Sequence, residues 1–212
     1  LSPAKYRYEA GNAHRHLIYV IFYLVKMEKI ILASGSPRRK QLLEWAEIPF
    51  DVIVSDTDES YPARLSFEDT AVYIARNKAL AVQQLNKSIS TILAADTIVV
   101  CNDRIIGKPK DREDAVNILT GLSGNTHKVI TGVAILKGDT EQSFADTTTV
   151  VFHELTQEQI AFYVDKYKPY DKAGAYAIQE WIGVVGIRSV TGDFYNVMGL
   201  PVSRVVQALG KI

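Results

Sequence analysis

The spacing of apolar residues predicts alternating strands and helices in the first part of the chain. Short apolar runs bounded by polar residues are typical of buried strands. Three such runs occupy residues 29–34, 50–55 and 91–100. Segments with helical spacing follow them after good capping residues. These helices are expected from about Pro37, over Phe67–Leu85 and over Arg112–Thr120. The alternation favours an α/β fold.

The later part of the chain begins with a strong hairpin signal. Two apolar runs flank Gly138 and Asp139, which predicts two antiparallel strands joined by a tight turn. A helix that ends near Tyr167, a glycine-dotted β region over residues 174–187 and a closing helix over residues 201–209 are expected to follow. A hairpin added to alternating strands and helices predicts a mixed sheet.

Composition limits the classes of partner. Lys and Arg together number 24, as do Asp and Glu, so the net charge is zero and no global field attracts nucleic acid or an anionic membrane. The single cysteine, Cys101, cannot form an internal disulfide, and no Cys/His metal-binding spacing occurs. The apolar run over residues 17–25 is too short to cross a bilayer. We therefore expect a cytoplasmic protein with no nucleic-acid partner and no membrane association.

The first 26 residues differ from the rest of the chain. They show no clear period, and Met27 stands directly before the first expected strand. We interpret residues 1–26 as an upstream extension or a cloning-derived segment. Residues 27–212 are then the domain that carries the function.

Small polar residues and two arginines join the first strand to the first helix. The sequence Ser-Gly-Ser-Pro-Arg-Arg at residues 34–39 combines flexible backbone, a helix start and two guanidinium groups. Free N–H groups, the helix dipole and guanidinium forks all favour a phosphate. The alternative is a capped helix with two solvated arginines, and no Walker motif is present.

Three other charged residues have a functional and a structural interpretation. Asp96 interrupts an apolar strand, where a carboxylate is costly unless it is paired or binds a metal. It either opens into a cleft at a strand end or caps that end. Lys78 shares the inward stripe of the second helix, so it either faces a cleft or snorkels to solvent. Lys108, between Gly107 and Pro109, either meets a phosphate or belongs to an ordinary turn.

An acidic loop supplies oxygen ligands. Asp56, Asp58 and Glu59 suit Mg²⁺ held by a few carboxylates together with substrate phosphates, although a solvated loop is the alternative. Taken together, the positive groups and the carboxylates indicate a metal-bridged polyphosphate.

Eight short motifs occur in order: LASGSPRRKQLL, DE at residues 58–59, ARNKA, AADTIV, IGKP, LSGNTHKV, DKAGAYAIQ and NVMGLP. This ordered set resembles the Maf family of nucleoside triphosphate pyrophosphatases from about Glu28 to the C-terminus. The resemblance implies an α/β fold with a mixed sheet and two lobes around a deep cleft, related to the inosine-triphosphatase-like fold and assembled as a homodimer. It also implies cleavage between the α and β phosphates with Mg²⁺ or Mn²⁺.

The resemblance also implies residue roles. Asp96 matches the family's catalytic carboxylate and Glu59 its metal-associated acid, so these two are the expected metal ligands. The family's phosphate-handling groups match Ser34, Arg39, Lys78 and Lys108, of which the two lysines are also expected to take part in catalysis.

The substrate branch is indicated by three positions. Branches acting on dTTP and UTP resemble this chain in Arg38, Thr97 and Gln179. The Gln179 amide suits a pyrimidine N3–H, but a flipped amide would serve cytosine, so CTP and modified pyrimidine nucleotides stay open. Glu180 departs from the family, which usually has glycine there, and with Trp181 it is expected to alter the cleft rim. A function of another class also stays open: a regulator of cell division that binds nucleotide without cleaving it.

Overall fold

A computed structural model describes residues 28–86 and 89–212. Its strands are β1 (Ile30–Leu32), β2 (Phe50–Val52), β3 (Ile92–Cys101), β4 (Arg104–Ile106), β5 (Thr126–Lys137), β6 (Thr140–Phe152) and β7 (Ile187–Thr191). Its helices are α1 (Pro37–Trp45), α2 (Phe67–Leu85), α3 (Arg112–Leu122), α4 (Gln157–Tyr167), α5 (Trp181–Gly186), α6 (Phe194–Met198) and α7 (Val202–Leu209), with a 3₁₀ turn at Ala173–Ala175.

Within these described residues, seven strands form one mixed sheet in the order β2-β1-β3-β5-β6-β7, with β4 added beside β3. β1 pairs in parallel with both β2 and β3. The remaining pairs are antiparallel, and the longest is the hairpin of β5 and β6. The mixed α/β sheet expected from the sequence is therefore confirmed.

Strand β3 is buried on both faces of the sheet. Leu93 and Ala95 belong to a large apolar cluster that also contains residues of α1, α3, α4 and α7. Ala94 points to the opposite face and joins a second cluster, which α2 covers. A strand covered by helices on both faces needs a continuous apolar sequence. This is why the segment carries so few polar residues, and why the two that it does carry are informative.

Helix α2 lies directly against the backbone of β5. A Cβ atom added at Gly132 would stand 2.1 Å from the carbonyl carbon of Ala71, which no real contact allows. Gly132 is also the sheet partner of Asp96. The close approach brings the inward side of α2, including Lys78, over the middle of β3.

The prediction of a β region over residues 174–187 is wrong. The chain instead forms the 3₁₀ turn, a turn at residues 177–180 and helix α5; the β structure begins only at Ile187. Gly174 has a φ of +72°, which an extended strand does not use. The apolar residues of α5 form a run too short for periodicity to separate a buried helix from a strand. The second strand is also shorter than expected and ends at Val52.

The extension over residues 1–26 and its apolar run over residues 17–25 lie outside the described residues. Among the helices that the structure describes, none combines the length and apolar character needed to cross a membrane.

Candidate active site

The central strand β3 lacks a neighbour along part of one edge. β1 pairs with it at Ile92 and Leu93, and β4 pairs with it only from Val99 onward. Asp96 and Thr97 lie in the gap between these two neighbours, and a cavity of about 430 Å³ opens there. From the sequence alone, Asp96 is expected at a strand end. In the structure it lies in the middle of the strand, where the open edge lets polar side chains reach the cavity.

Lys78 connects α2 to two carboxylates in this cavity. Its Nζ lies 2.6 Å from Oδ1 of Asp96 and 2.7 Å from Oε1 of Glu59. The Lys78 and Asp96 side chains are only 17% and 14% exposed, so this ion pair is poorly screened by water. The hydrogen bond from Lys78 lowers the pKa of Glu59, more than partial burial raises it. Both carboxylates therefore direct their negative charge to one point.

Arg39 is buried and held by neutral oxygens. Its Nε donates to the carbonyl of Gly199 at 2.8 Å, and its two terminal nitrogens donate to the hydroxyls of Ser34 and Thr97, each at 3.0 Å. Burial lowers the pKa of Arg39, and the negative charges of Asp96 and Glu59 oppose that effect. Among the residues that the structure describes, no carboxylate forms an ion pair with this guanidinium group, so it is ready to accept an anionic ligand.

Arg38 crosses from α1 to the segment before the 3₁₀ turn. Its Nη1 donates to Oδ2 of Asp171 at 2.9 Å, and Nζ of Lys172 lies 2.7 Å from the other oxygen of the same carboxylate. Burial raises the pKa of Asp171, but the hydrogen bonds from Lys172 and Arg38 outweigh it and lower the pKa overall. Asp171 therefore stays ionised and fixes two cations in the cavity wall.

The remaining phosphate-handling residues also line the cavity. Lys108 faces it and makes no ion pair with any residue that the structure describes. Ser36 stands at the N-cap of α1, but its side chain makes no capping hydrogen bond; its N–H donates to Oγ of Ser34 at 3.3 Å. A Cβ at Gly35 would meet only Val54, at an ordinary 3.7 Å, so the fold itself does not require glycine there.

Two of the expected site residues lie away from the cavity wall. Asp58 accepts hydrogen bonds from Ser60 and stays exposed, which leaves only Asp56 and Glu59 of the acidic loop at the cavity. Gln179 is exposed in a turn two residues beyond the cavity residue Ala177, so its contact with substrate stays a prediction.

The expectation that Glu180 and Trp181 alter the cleft rim is wrong, since neither side chain lines the cavity. Trp181 packs edge-on against Phe162 at 4.9 Å between ring centroids. The Glu180 side chain is 23% exposed and turns toward Lys172. The added bulk is thus accommodated behind the cavity wall.

Asp171 and Lys172 belong to the motif DKAGAYAIQ, but the sequence alone assigns them no role. They reach the cavity only through the fold, because Arg38 and Asp171 are 133 residues apart in the chain. The one local signal was a pair of opposite charges directly before a glycine turn, which is common on protein surfaces.

The carboxylates of the cavity meet only part of the coordination needs of a divalent cation. Within residues 28–86 and 89–212, no three His, Cys, Asp or Glu side chains group with metal-binding geometry. Glu59 and Asp96 nevertheless converge on one cationic group, the ammonium of Lys78. Two carboxylates suit Mg²⁺ or Mn²⁺ when substrate phosphates and water complete the coordination. The residues present fit such an ion only together with a phosphate ligand.

Comparisons with known proteins cover nearly all of the described residues. The family model for Maf-like protein matches residues 29–212. A dTTP/UTP pyrophosphatase of Parabacteroides distasonis is 48% identical over 186 residues, which cover 87% of this chain and 96% of that protein. A dTTP/UTP pyrophosphatase of Cytophaga hutchinsonii is 50% identical over 183 residues, covering 86% and 84%.

Among solved structures, the Staphylococcus aureus Ham1 protein is similar with a TM-score of 0.46 and 17% identity, over 87% of this chain and 99% of that one. A likeness at this level supports no conclusion about activity.

Proposed function

Because the chain belongs to the Maf family, we propose that it is a nucleoside triphosphate pyrophosphatase. The enzyme hydrolyses the bond between the α and β phosphates and releases a nucleoside monophosphate and pyrophosphate.

One observation carries the proposal beyond family membership: the arrangement of charge around Lys78. Five cationic side chains and four carboxylates line one cavity, and the two carboxylates nearest the middle of β3 share the Lys78 ammonium. A site for binding alone needs the cations. The carboxylates repel a triphosphate, so their presence in the cavity supports a role in the reaction rather than in ground-state binding.

The chemistry assigned to this chain's residues begins with the phosphates. Arg39, Lys108 and the backbone at residues 34–36 bind the triphosphate, and the cations beside the leaving group stabilise the charge that develops on pyrophosphate. Asp96 orients the attacking water and accepts its proton. The water oxygen forms a bond to the α-phosphorus, the bond to the bridging oxygen breaks, and pyrophosphate leaves with that electron pair. Lys78 holds the Asp96 carboxylate in place beforehand.

Glu59 and Asp96 are the residues that would hold Mg²⁺ or Mn²⁺. When bound, such an ion neutralises charge on the phosphate oxygens during the displacement. Dependence on a divalent cation is part of this proposal.

For the substrate we propose dTTP and UTP, supported by the names of the relatives and by Arg38, Thr97 and Gln179. In the structure, Thr97 Oγ1 bonds Arg39 and Thr131, at 3.0 and 2.9 Å. It is therefore a fixed polar group in the wall. CTP and modified pyrimidine nucleotides are the competitors to test. We further propose a cytoplasmic homodimer in which residues 27–212 form the catalytic domain.

A panel of canonical and modified nucleoside triphosphates, each incubated with Mg²⁺, Mn²⁺ or EDTA, tests this function. The products are separated as monophosphate plus pyrophosphate or as diphosphate plus orthophosphate. We expect dTTP and UTP to give the first pair in a metal-dependent reaction. Orthophosphate as the first product, or turnover that survives EDTA, would contradict the assignment.

A further inference from the structure

The turn that carries Gln179 is fastened at both ends by one buried side chain. Tyr163 of α4 is fully buried, and its hydroxyl lies between the two ends of the turn at residues 177–180. The N–H of Ala177 donates to this hydroxyl at 3.2 Å, and the hydroxyl donates to Oε2 of Glu180. The N–H of Glu180 closes the turn on the carbonyl of Ala177 at 3.1 Å. The exposed Gln179 thus stands on a rigid base.

Lys172 joins this base to the cavity. The residue is 8% exposed and lines the cavity, although a lysine is rarely buried so deeply without partners. Its Nζ lies 2.7 Å from Oδ1 of Asp171 and 3.6 Å from Oε1 of Glu180. Asp171 holds Arg38 through its second oxygen at 2.9 Å. One ammonium therefore lies between the carboxylate that fixes Arg38 and the carboxylate that fixes the turn of Gln179.

We propose, on the basis of the proposed function, that Lys172 is a positioning residue for nucleotide selection. Through Asp171 and Glu180 it sets the relative position of Arg38 and Gln179, two residues expected to recognise the substrate. Glu180, at a position where the family usually has glycine, is in this chain a second anchor for Lys172.

The physical reason is the repulsion between two carboxylates that lose the cation between them. The side chain of Asp171 is 54% exposed and that of Glu180 is 23% exposed, so without the Lys172 ammonium their negative charges repel across a partly solvated wall and move apart. Arg38 and the turn that carries Gln179 are then no longer held at a fixed position relative to each other. Neither Asp96, Glu59 nor Lys78 contacts Lys172, so the reacting groups stay in place. The expected defect is in choosing and holding the nucleotide rather than in the chemical step.

The test uses Lys172→Met, which removes the charge and keeps the length, and Lys172→Arg, which restores a cation. Lys128→Met is the matched control, because Lys128 is exposed on β5 and does not line the cavity. Binding of the non-hydrolysable α,β-methylene analogues of dTTP, UTP and CTP is measured by calorimetry. Values of kcat and KM are measured for the three natural nucleotides, and thermal unfolding confirms that each variant is folded.

We expect Lys172→Met to raise Kd and KM for dTTP roughly tenfold, about the loss of one hydrogen bond to a charged group. Its effect on kcat should be smaller, and the preference for dTTP over CTP should fall by a similar factor. Lys172→Arg should recover most of the preference, and Lys128→Met should match the wild type. Glu180→Gln keeps an oxygen for Tyr163 but loses the charge facing Lys172, so it should shift the preference in the same direction.

Three results would overturn the inference. The first is a Lys172→Met variant that keeps the wild-type ratio of affinities for the three nucleotides. The second is a wild-type protein that binds all three analogues equally. If Lys172→Met does not fold, an unchanged preference in Glu180→Gln is the third. A failure of the proposed function looks different: the wild type would release no monophosphate and pyrophosphate from any nucleotide, while the analogue affinities would still decide the role of Lys172.

Discussion

Replacing Asp96 by Asn isolates the charge of one carboxylate with little change in shape. The asparagine oxygen can still accept a hydrogen bond from Lys78, which also keeps Glu59 at 2.7 Å. The side chain is at the open edge of β3, so no packing is lost. We expect the free energy of unfolding to change by less than about 1.5 kcal/mol, the lower end of the contribution of a hydrogen bond to a charged group.

The effect on turnover should be much larger than the effect on stability. Loss of a general base alone typically lowers the rate by about 10²–10⁴-fold, or about 3–5.5 kcal/mol in the barrier. Ground-state binding measured without a divalent cation should be retained or become tighter, because the substitution removes one negative charge that repels the triphosphate. A fall in kcat with unchanged or lower Kd is the pattern of an interaction made mainly in the transition state.

Steady-state kinetics with dTTP and calorimetry with its α,β-methylene analogue measure the two effects separately. Asp103→Asn is the matched control, because it makes the same chemical change at an exposed residue in the turn between β3 and β4. Lys108→Ala is the contrasting variant, and it should weaken binding as well as turnover, since this lysine has no carboxylate partner among the described residues. Near-normal turnover in Asp96→Asn would refute the assignment of Asp96 to the reaction and would revive the binding-only regulator.

Three further expectations concern the rest of the chain. A protein that begins at Met27 should keep the kcat of the full chain, because every motif lies downstream; a folded but inactive truncation would contradict this. Burial lowers the pKa of His127, in β5, from 6.5 to about 4. The unfolded chain therefore binds a proton at this histidine at a higher pH than the folded protein does, so the stability from the neutral buried imidazole is complete above pH 6.5 and is lost as the pH falls toward 4. That loss is about 3 kcal/mol in urea unfolding and should be absent in His127→Gln. Gly132→Ala should fail to fold or unfold at a much lower temperature, because the new Cβ would overlap the backbone of α2 at Ala71; a wild-type Tm would show that the helix can move away.

The elements that the sequence predicted well are those whose pattern is long and local. β3 is a ten-residue run that is apolar almost throughout, α2 buries one helical stripe, and the hairpin of β5 and β6 joins two long strands, so each of these patterns is long and local. Asp96 and Lys78 are exceptions to such patterns, a charge in an apolar strand and a charge on an apolar helical stripe. A residue that breaks a strong pattern is detectable without knowledge of the fold.

Residues whose role depends on a distant partner gave no such signal. Asp171 and Lys172 lie in a short irregular segment. Their charges line the cavity wall as an ion-pair network only because Arg38, 133 residues earlier in the chain, bonds Asp171 in the folded protein. The same holds for Glu180, whose bulk looked obstructive in the sequence. Its carboxylate in fact bonds Tyr163, a residue of another helix. Contacts between irregular segments follow from tertiary packing, which periodicity does not encode.

The ion pairs in the cavity explain why the proposed reaction should need a divalent cation. Lys78 is paired with Asp96 and Glu59, and Arg38 with Asp171. A triphosphate that draws Lys78 toward its own oxygens leaves two carboxylates close together without their cation, beside a ligand that is itself strongly negative. In the described part of the chain, five cationic side chains against four carboxylates leave a surplus of a single positive charge in the cavity, which cannot balance that ligand. An added cation bound by the same carboxylates would neutralise the excess negative charge. We therefore expect Mg²⁺ and the triphosphate to bind together, and each to bind only weakly without the other.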